Sequence, residues 1–277
     1  MAKPVEILGI KIDPLTHAEF IEKLKHLFRK RGKSQIATVN SEFIETAQVN
    51  PDFKDVINSS SLRLADGIGI LIASKFNSLP LTDIPVLRTL QAIYQMKICL
   101  ISPLFYPKYI KSVIRERLAG ADVVYDIIKL SLDNNYKIFL LGALPGVADK
   151  ASLILQTDNY GLRVVGTYAG SPNIEEEDKI VSLINKHKAD IIFVAFGAPK
   201  QDLWIARNLK KTTAKLAVGV GGTFDFIAGN AKRAPLWIQN HGLEWLYRLV
   251  AQPSRLKRQI ALPKFLWSVC VNKIKQR

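Results

Sequence analysis

The 277-residue sequence predicts an α/β fold, an open and mostly parallel sheet with helices on both sides. Three observations predict it. Six short Val/Ile/Leu/Phe runs recur without polar alternation, as strands buried on both faces require. Stretches of helical period separate several of them, the alternation that covers a parallel sheet on both faces. Hydrophobic residues at 48% and charged residues at 23% supply a full globular core and exclude disordered and fibrous chains.

In chain order the expected strands are 36–40, 62–65, 137–142, 162–168, 190–196 and 215–220. Helical patterns cover 41–50, 122–134, 147–156, 174–188 and 200–210. Ligands of such sheets sit beyond the carboxyl ends of the strands, and those ends are unusual here. Ile36-Ala-Thr-Val runs into Asn40-Ser-Glu-Phe, and Leu62-Arg-Leu-Ala into Asp66-Gly-Ile-Gly. Phe139-Leu-Leu-Gly142 leads to Ala143-Leu-Pro-Gly146, and Phe193-Val-Ala-Phe meets Gly197-Ala-Pro199-Lys200-Gln201. Leu216-Ala-Val-Gly runs into Val220-Gly221-Gly222-Thr-Phe-Asp225. Such glycines let backbone approach a ligand, and a following helix N-terminus offers free N–H groups to phosphate. Any one of these turns is ordinary, but five at corresponding strand ends point to a nucleotide-type site. None is G-x-G-x-x-G or a P-loop, so a dinucleotide-dependent oxidoreductase and an ATP fingerprint are not supported.

The net charge of +15 is concentrated. Residues 248–277 hold eight cationic side chains and no acid, and residues 84–111 hold four and none, so two stretches carry twelve of the fifteen excess charges. Nucleic acid and anionic lipid both attract such patches. Both stretches are also rich in Leu, Ile, Trp, Phe and Tyr, which favours a membrane surface, and no nucleic-acid reader motif appears. Two cysteines, Cys99 and Cys270, fit a reducing compartment. Glu6 and Lys11 interrupt the N-terminal apolar run, so no signal peptide is expected and the location reads as cytoplasmic.

Taken together, Thr38-Val-Asn40-Ser-Glu, Ala65-Asp66-Gly67, Gly197-Ala-Pro-Lys-Gln201-Asp-Leu-Trp204, Gly219-Val-Gly-Gly-Thr-Phe-Asp225 and Lys232-Arg-Ala-Pro235 through Gly242-Leu-Glu-Trp-Leu-Tyr-Arg248 to Pro253-Ser-Arg255 resemble the WecG/TagA/CpsF glycosyltransferases, family 26. The resemblance covers essentially the whole chain apart from one insertion. It implies a Rossmann-like catalytic domain of the GT-E type, here residues 1–230, and a basic helical appendage, residues 231–277, that meets the membrane and completes the active site. It implies inverting transfer of a sugar, N-acetylmannosamine first, from a UDP-sugar donor to a polyprenyl-diphosphate-linked acceptor in cell-wall or surface-polysaccharide assembly. The uronic acid of that sugar, glucose and glucuronate stand as rival donors. The expected location becomes the inner face of the cell membrane, on anionic lipid. Family members form dimers or higher assemblies, which leaves a homo-oligomer open.

Inverting transfer needs a base for the acceptor hydroxyl. Asp66, ending an apolar strand ahead of Gly67, matches the family's presumed base; the bland alternative is a cap on the next helix. Charge developing on the leaving UDP needs stabilising. Arg117, Arg248, Arg255 and Arg258 match family arginines, and bidentate phosphate binding suits arginine better than lysine. Membrane adhesion is the alternative for the last three. No Asp-x-Asp metal motif is present, and the acids at 175–178 read as solvated surface at a helix start. The expectation is therefore metal-independent chemistry with no cofactor. Thr38, Asn40 and Gln201 suit sugar hydroxyls, with turn capping as the alternative. Gly142, Pro199, Lys200, Gly221, Gly222 and Asp225 complete the expected substrate contacts, Asp225 toward ribose or uracil. The four histidines have no metal-ligand spacing.

One departure stands out. Asp66 and Arg117 lie 51 positions apart, farther than in the family pattern, and the excess falls at roughly 80–113. On a helical wheel Leu87, Leu90, Ile93, Tyr94, Ile98 and Ile101 share one broad face, with Arg88, Gln91 and Gln95 on the other. A helix lying on a membrane surface is expected, Lys97 snorkelling toward headgroups, with a core helix or oligomer contact as the alternative. The apolar tail around Trp267 is expected to dock peripherally in the same way.

Overall fold

The computed structural model describes residues 3–251 and 260–276. Its centre is a six-stranded, all-parallel sheet in the order β4-β3-β8-β7-β5-β6. The strands are β3 (Ser34–Val39), β4 (Leu62–Ala65), β5 (Lys137–Gly142), β6 (Arg163–Tyr168), β7 (Ile191–Ala195) and β8 (Leu216–Gly219). All six expected strands are present within two residues of their expected bounds. The missing alternation has a direct cause. Ile138 and Leu140 enter one core layer while Phe139 and Leu141 enter the other, so successive residues are equally buried.

The connections are helical: α1 (His17–Arg29), α2 (Ser41–Val49), α3 (Pro51–Ser59), α4 (Ile68–Ser78), α5 (Pro85–Phe105), α6 (Gly120–Asn134), α7 (Val147–Asp158), α8 (Ile174–Lys186) and α9 (Lys200–Asn208). A short hairpin, β1 (Val5–Ile7) with β2 (Ile10–Ile12), precedes them and buries Ile7, Ile10 and Ile12 completely. Sequence patterning missed this hairpin because three-residue strands carry one alternation at most. It also missed α3, which follows α2 without a break: Asn50 ends α2 and caps α3, its Oδ1 accepting from Phe53 N at 3.0 Å.

The C-terminal region continues with α10 (Thr223–Ile227), α11 (Leu236–Asn240), α12 (Glu244–Ala251) and a terminal helix, Ala261–Lys275. In that terminal helix most apolar residues turn inward. Phe265, Leu266, Val269 and Cys270 are buried in the same cluster as Ile70 and Phe76, so its apolar residues build the core. Trp267 alone of that helix's large apolar side chains is open, at 70% exposure. Among the described residues no helix is long and apolar enough to cross a membrane.

The insertion forms α5, and its burial is not the one a simple wheel suggests. Ala92, Met96, Cys99 and Pro103, spaced 4, 3 and 4 apart, make a narrow buried stripe against the body. The broad apolar face of Leu87, Leu90, Ile93, Tyr94 and Ile101 is exposed.

Candidate active site

Two hollows meet at the carboxyl ends of β3, β4 and β8. Asn40, Asp66, Glu244 and Arg248 line both. One, open to solvent, is bounded by Ile68, Arg117, Trp245 and Leu262. The other runs along the strand ends past Thr38, Gln201, Gly221 and Gly222. Parallel pairing fixes this convergence: Thr38 lies opposite Leu64 and Val39 opposite Ala65, which places Asn40 and Asp66 side by side just past the strands.

Asp66 is part-exposed at the junction. It does not cap α4, whose N-cap is Gly67 at φ +109° with no side-chain bond. Instead it faces the N-terminus of α6, where the Gly120 N–H favours its ionised form. Burial nevertheless pushes its carboxyl above the ordinary carboxylate value. The nearby charge of Arg117 opposes that rise, Glu244 adds to it, and Arg248 opposes it again. The group is a stronger base than a free aspartate yet is flanked by cations that keep it ionisable.

Arg117 reaches this place through the backbone, because Leu118 N bonds Ala65 O at 2.9 Å and pins the end of the insertion to β4. Its Nη1 donates to Glu244 Oε2 at 2.9 Å, and its Nη2 to Gln239 Oε1 at 3.4 Å. Arg248, one turn along α12, donates through Nη2 to the other oxygen of Glu244 and stacks over Phe226 at 4.9 Å. Burial alone would raise Glu244, but Arg248 and Arg117 outweigh it and hold the carboxyl below its ordinary value. One buried carboxylate therefore fixes two guanidinium groups beside Asp66. Glu244 escaped the sequence reading, although it is the single acid after Asp225 and lies four residues before Arg248.

Gly242 sets the approach of this segment. It has φ +70°, and a Cβ there would lie 2.6 Å from Ile68 Cγ1, so only glycine lets α12 close on α4.

Gln201 is 2% exposed and holds the neighbouring loop, its Oε1 accepting from Gly221 N at 3.0 Å. Gly219 makes room for it, since a Cβ there would meet Gln201 Nε2 at 2.4 Å. Asn40 does cap α2, with Oδ1 accepting from Phe43 N at 3.0 Å, and lines both hollows as well. Capping and ligand contact coexist there.

Thr38, Asn40, Asp66, Arg117, Gln201, Gly221, Gly222 and Arg248 are thus brought together. Gly142, Pro199, Lys200 and Asp225 line neither hollow. Gly142 packs on the Ala195 backbone, Pro199 precedes α9 after a cis bond, Lys200 is exposed, and Asp225 begins the turn that binds Asn230 N and Ala231 N through its carbonyl. Arg255 and Arg258 lie outside the described residues. The acids at 175–178 are not uniformly solvated: Glu177 is buried and pairs with Arg207 at 2.6 Å, because α8 turns that residue toward α9. No group of three or more His, Cys, Asp or Glu side chains converges among the described residues.

Residues 5–97 and 102–277 match the family model described as Glycosyl transferase WecG/TagA/CpsF family. The chain is similar to N-acetylglucosaminyldiphosphoundecaprenol N-acetyl-beta-D-mannosaminyltransferases of Staphylococcus aureus. For the proteins of strains MRSA252, NCTC 8325 and COL the identity is 28% over 273 residues, which is 98% of this chain and 94% of each relative.

Proposed function

The chain belongs to the WecG/TagA/CpsF glycosyltransferase family, and on that footing we propose that it moves N-acetylmannosamine from a UDP-sugar to a sugar carried on polyprenyl diphosphate, in cell-wall biosynthesis. The carrying observation is the junction itself: a carboxylate of raised basicity, Asp66, between Arg117 and Arg248, where two hollows meet.

The hollow along the strand ends suits the donor, with the Gly219–Gly222 turn against the nucleotide diphosphate and Thr38, Asn40 and Gln201 against sugar hydroxyls or the acetamido group. The hollow rimmed by Ile68, Trp245 and Leu262 suits the acceptor, whose lipid needs an apolar exit. The acceptor hydroxyl oxygen attacks the anomeric carbon as the bond to the UDP β-phosphate oxygen breaks. Asp66 takes the hydroxyl proton, and the configuration inverts. Charge gathering on the departing diphosphate is met by Arg248 and Arg117, joined by Arg255 and Arg258 from the appendage. No metal or cofactor enters this scheme, and turnover surviving EDTA is its check. Gly142, Pro199, Lys200 and Asp225 then act by shaping the loops that bear the contacts.

The catalytic domain is residues 1–230 and the appendage 231–277, working on the inner face of the cell membrane because the lipid acceptor cannot leave the bilayer. A dimer or higher assembly through the α/β body fits this arrangement. Other UDP-sugars, those of ManNAc uronic acid, glucose and glucuronate, are the competing donors. Acceptor-dependent release of UDP by the purified protein tests the reading.

A further inference from the structure

We infer that the open face of α5 is the surface by which this chain docks on an anionic lipid bilayer. The inference rests on the transferase reading only for its purpose; the surface itself follows from the helix.

An exposed helix ordinarily turns polar side chains outward, and α5 does the reverse. Arg88 donates to the Gln276 carbonyl just past the terminal helix, and Gln95 Nε2 donates to Pro80 O at 2.9 Å. Gln91 accepts from Thr82 N at 2.8 Å through its Oε1. The polar residues are thus spent on the body, and the outward face is left to Leu87, Leu90, Ile93, Tyr94, Ile101 and Phe105. Leu90 is 59% exposed and Phe105 81%. A run of 21 residues spans about 30 Å lying flat, so the face is far larger than a scattered surface apolar residue.

Charge identifies the occupant. Exposed Lys97 interrupts the apolar face, exposed Lys108, Lys111 and Arg115 follow it, and no acid occurs from Ile84 to Arg115. Anionic headgroups complement that set, with Tyr94 and Tyr106 at the depth where amphipathic rings settle. A second copy of the chain fits worse. A two-fold contact through α5 would set these cations against their own counterparts with no acid in the segment to pair them. The terminal helix cannot take the role along its length, because its apolar residues are in the core. The placement also serves the reaction, since Arg117 lies only 12 residues beyond the end of α5 and is tied to β4 next to Asp66.

The test is co-sedimentation of the full chain with vesicles of phosphatidylcholine and phosphatidylglycerol, and with phosphatidylcholine alone, in the absence of any sugar donor. Wild type is expected to bind the mixed vesicles and to lose binding in high salt or without phosphatidylglycerol. The double variant Leu90→Glu, Ile93→Glu should bind about tenfold more weakly or worse. The variant Leu153→Glu, on an equally open side chain of α7, should bind as wild type does. The milder pair Leu90→Ser, Ile93→Ser, checked for an unchanged melting temperature, guards against misfolding and should also weaken binding. Unchanged vesicle binding in both α5 variants would overturn the proposal. So would equal binding to neutral vesicles, or a wild-type oligomer that the α5 variants dissociate without changing lipid binding. Because the vesicle assay needs no donor, a protein that binds vesicles yet, in a separate assay, neither binds UDP nor releases it from any UDP-sugar would sink the transferase reading alone.

Discussion

Arg117 donates to the buried carboxylate of Glu244 at 2.9 Å across 127 positions of sequence, and this one bond ties the end of the insertion to the appendage. Because Glu244 also holds Arg248, the two cations beside Asp66 are placed by a single acid rather than by their own long side chains. The site is therefore complete only when body, insertion and appendage have all docked.

If Asp66 is the base, Asp66→Asn removes the proton acceptor and leaves the hydrogen-bonding shape. Turnover is expected to fall by about 10²–10⁴-fold while UDP affinity stays close to wild type. Steady-state kinetics with calorimetric UDP binding checks this, and retained turnover would remove Asp66 from the role.

The charges around Asp66 make a signed pH prediction. The ionised carboxylate is the working form, so activity falls as pH drops through its raised pKa. Glu244 contributes to that rise, so Glu244→Gln should move the acid limb of kcat/KM to lower pH, with a loss of rate because both arginines are freed. Arg117→Met removes an opposing charge and should move the limb to higher pH. Shifts in the same direction for both variants would contradict this arrangement of charges.

Much of the fold was legible because both faces of the sheet are covered, which turns every strand into an apolar run. The place of Asp66 at a strand end was legible too, but only the structure removed the alternative of a helix cap, by putting Gly67 at the N-cap of α4. Glu244 was not, because a sequence shows an acid four residues from Arg248 as an ordinary helical pair and cannot show Arg117 arriving from 127 positions away. The same limit applied to α5: its wheel displays two apolar stripes, and only packing reveals that the narrow one, through Ala92, Met96, Cys99 and Pro103, faces inward.

Gly242→Ala should separate docking of the appendage from chemistry. The new Cβ meets Ile68 at a backbone conformation that disfavours any side chain, so a stability loss of about 1–3 kcal/mol is expected. Turnover should fall further than that loss explains, because Glu244 shifts with α12. Thermal melts run beside the kinetics distinguish the two effects; full activity at reduced stability would show that α12 tolerates the displacement.

Asp202 offers a stability test away from the substrate. It is fully buried, and burial pushes its carboxyl up to about 7. The folded chain holds that proton where the unfolded chain has lost it, so stability declines as pH rises from about 4, the ordinary carboxylate value, to about 7. Asp202→Asn should abolish the decline and be the more stable protein near pH 8, by a few kcal/mol at most. Urea titrations across that range give the answer, and parallel pH profiles for the two proteins would contradict the assignment.

The most direct measurement is UDP release from a panel of UDP-sugars by the purified protein, with and without a polyprenyl-diphosphate-linked N-acetylglucosamine analogue. The expected result is release from UDP-N-acetylmannosamine that requires the acceptor. Release from another donor would keep the reaction and change the sugar. No acceptor-dependent release from any donor, by a protein that fails to bind UDP, would contradict the account.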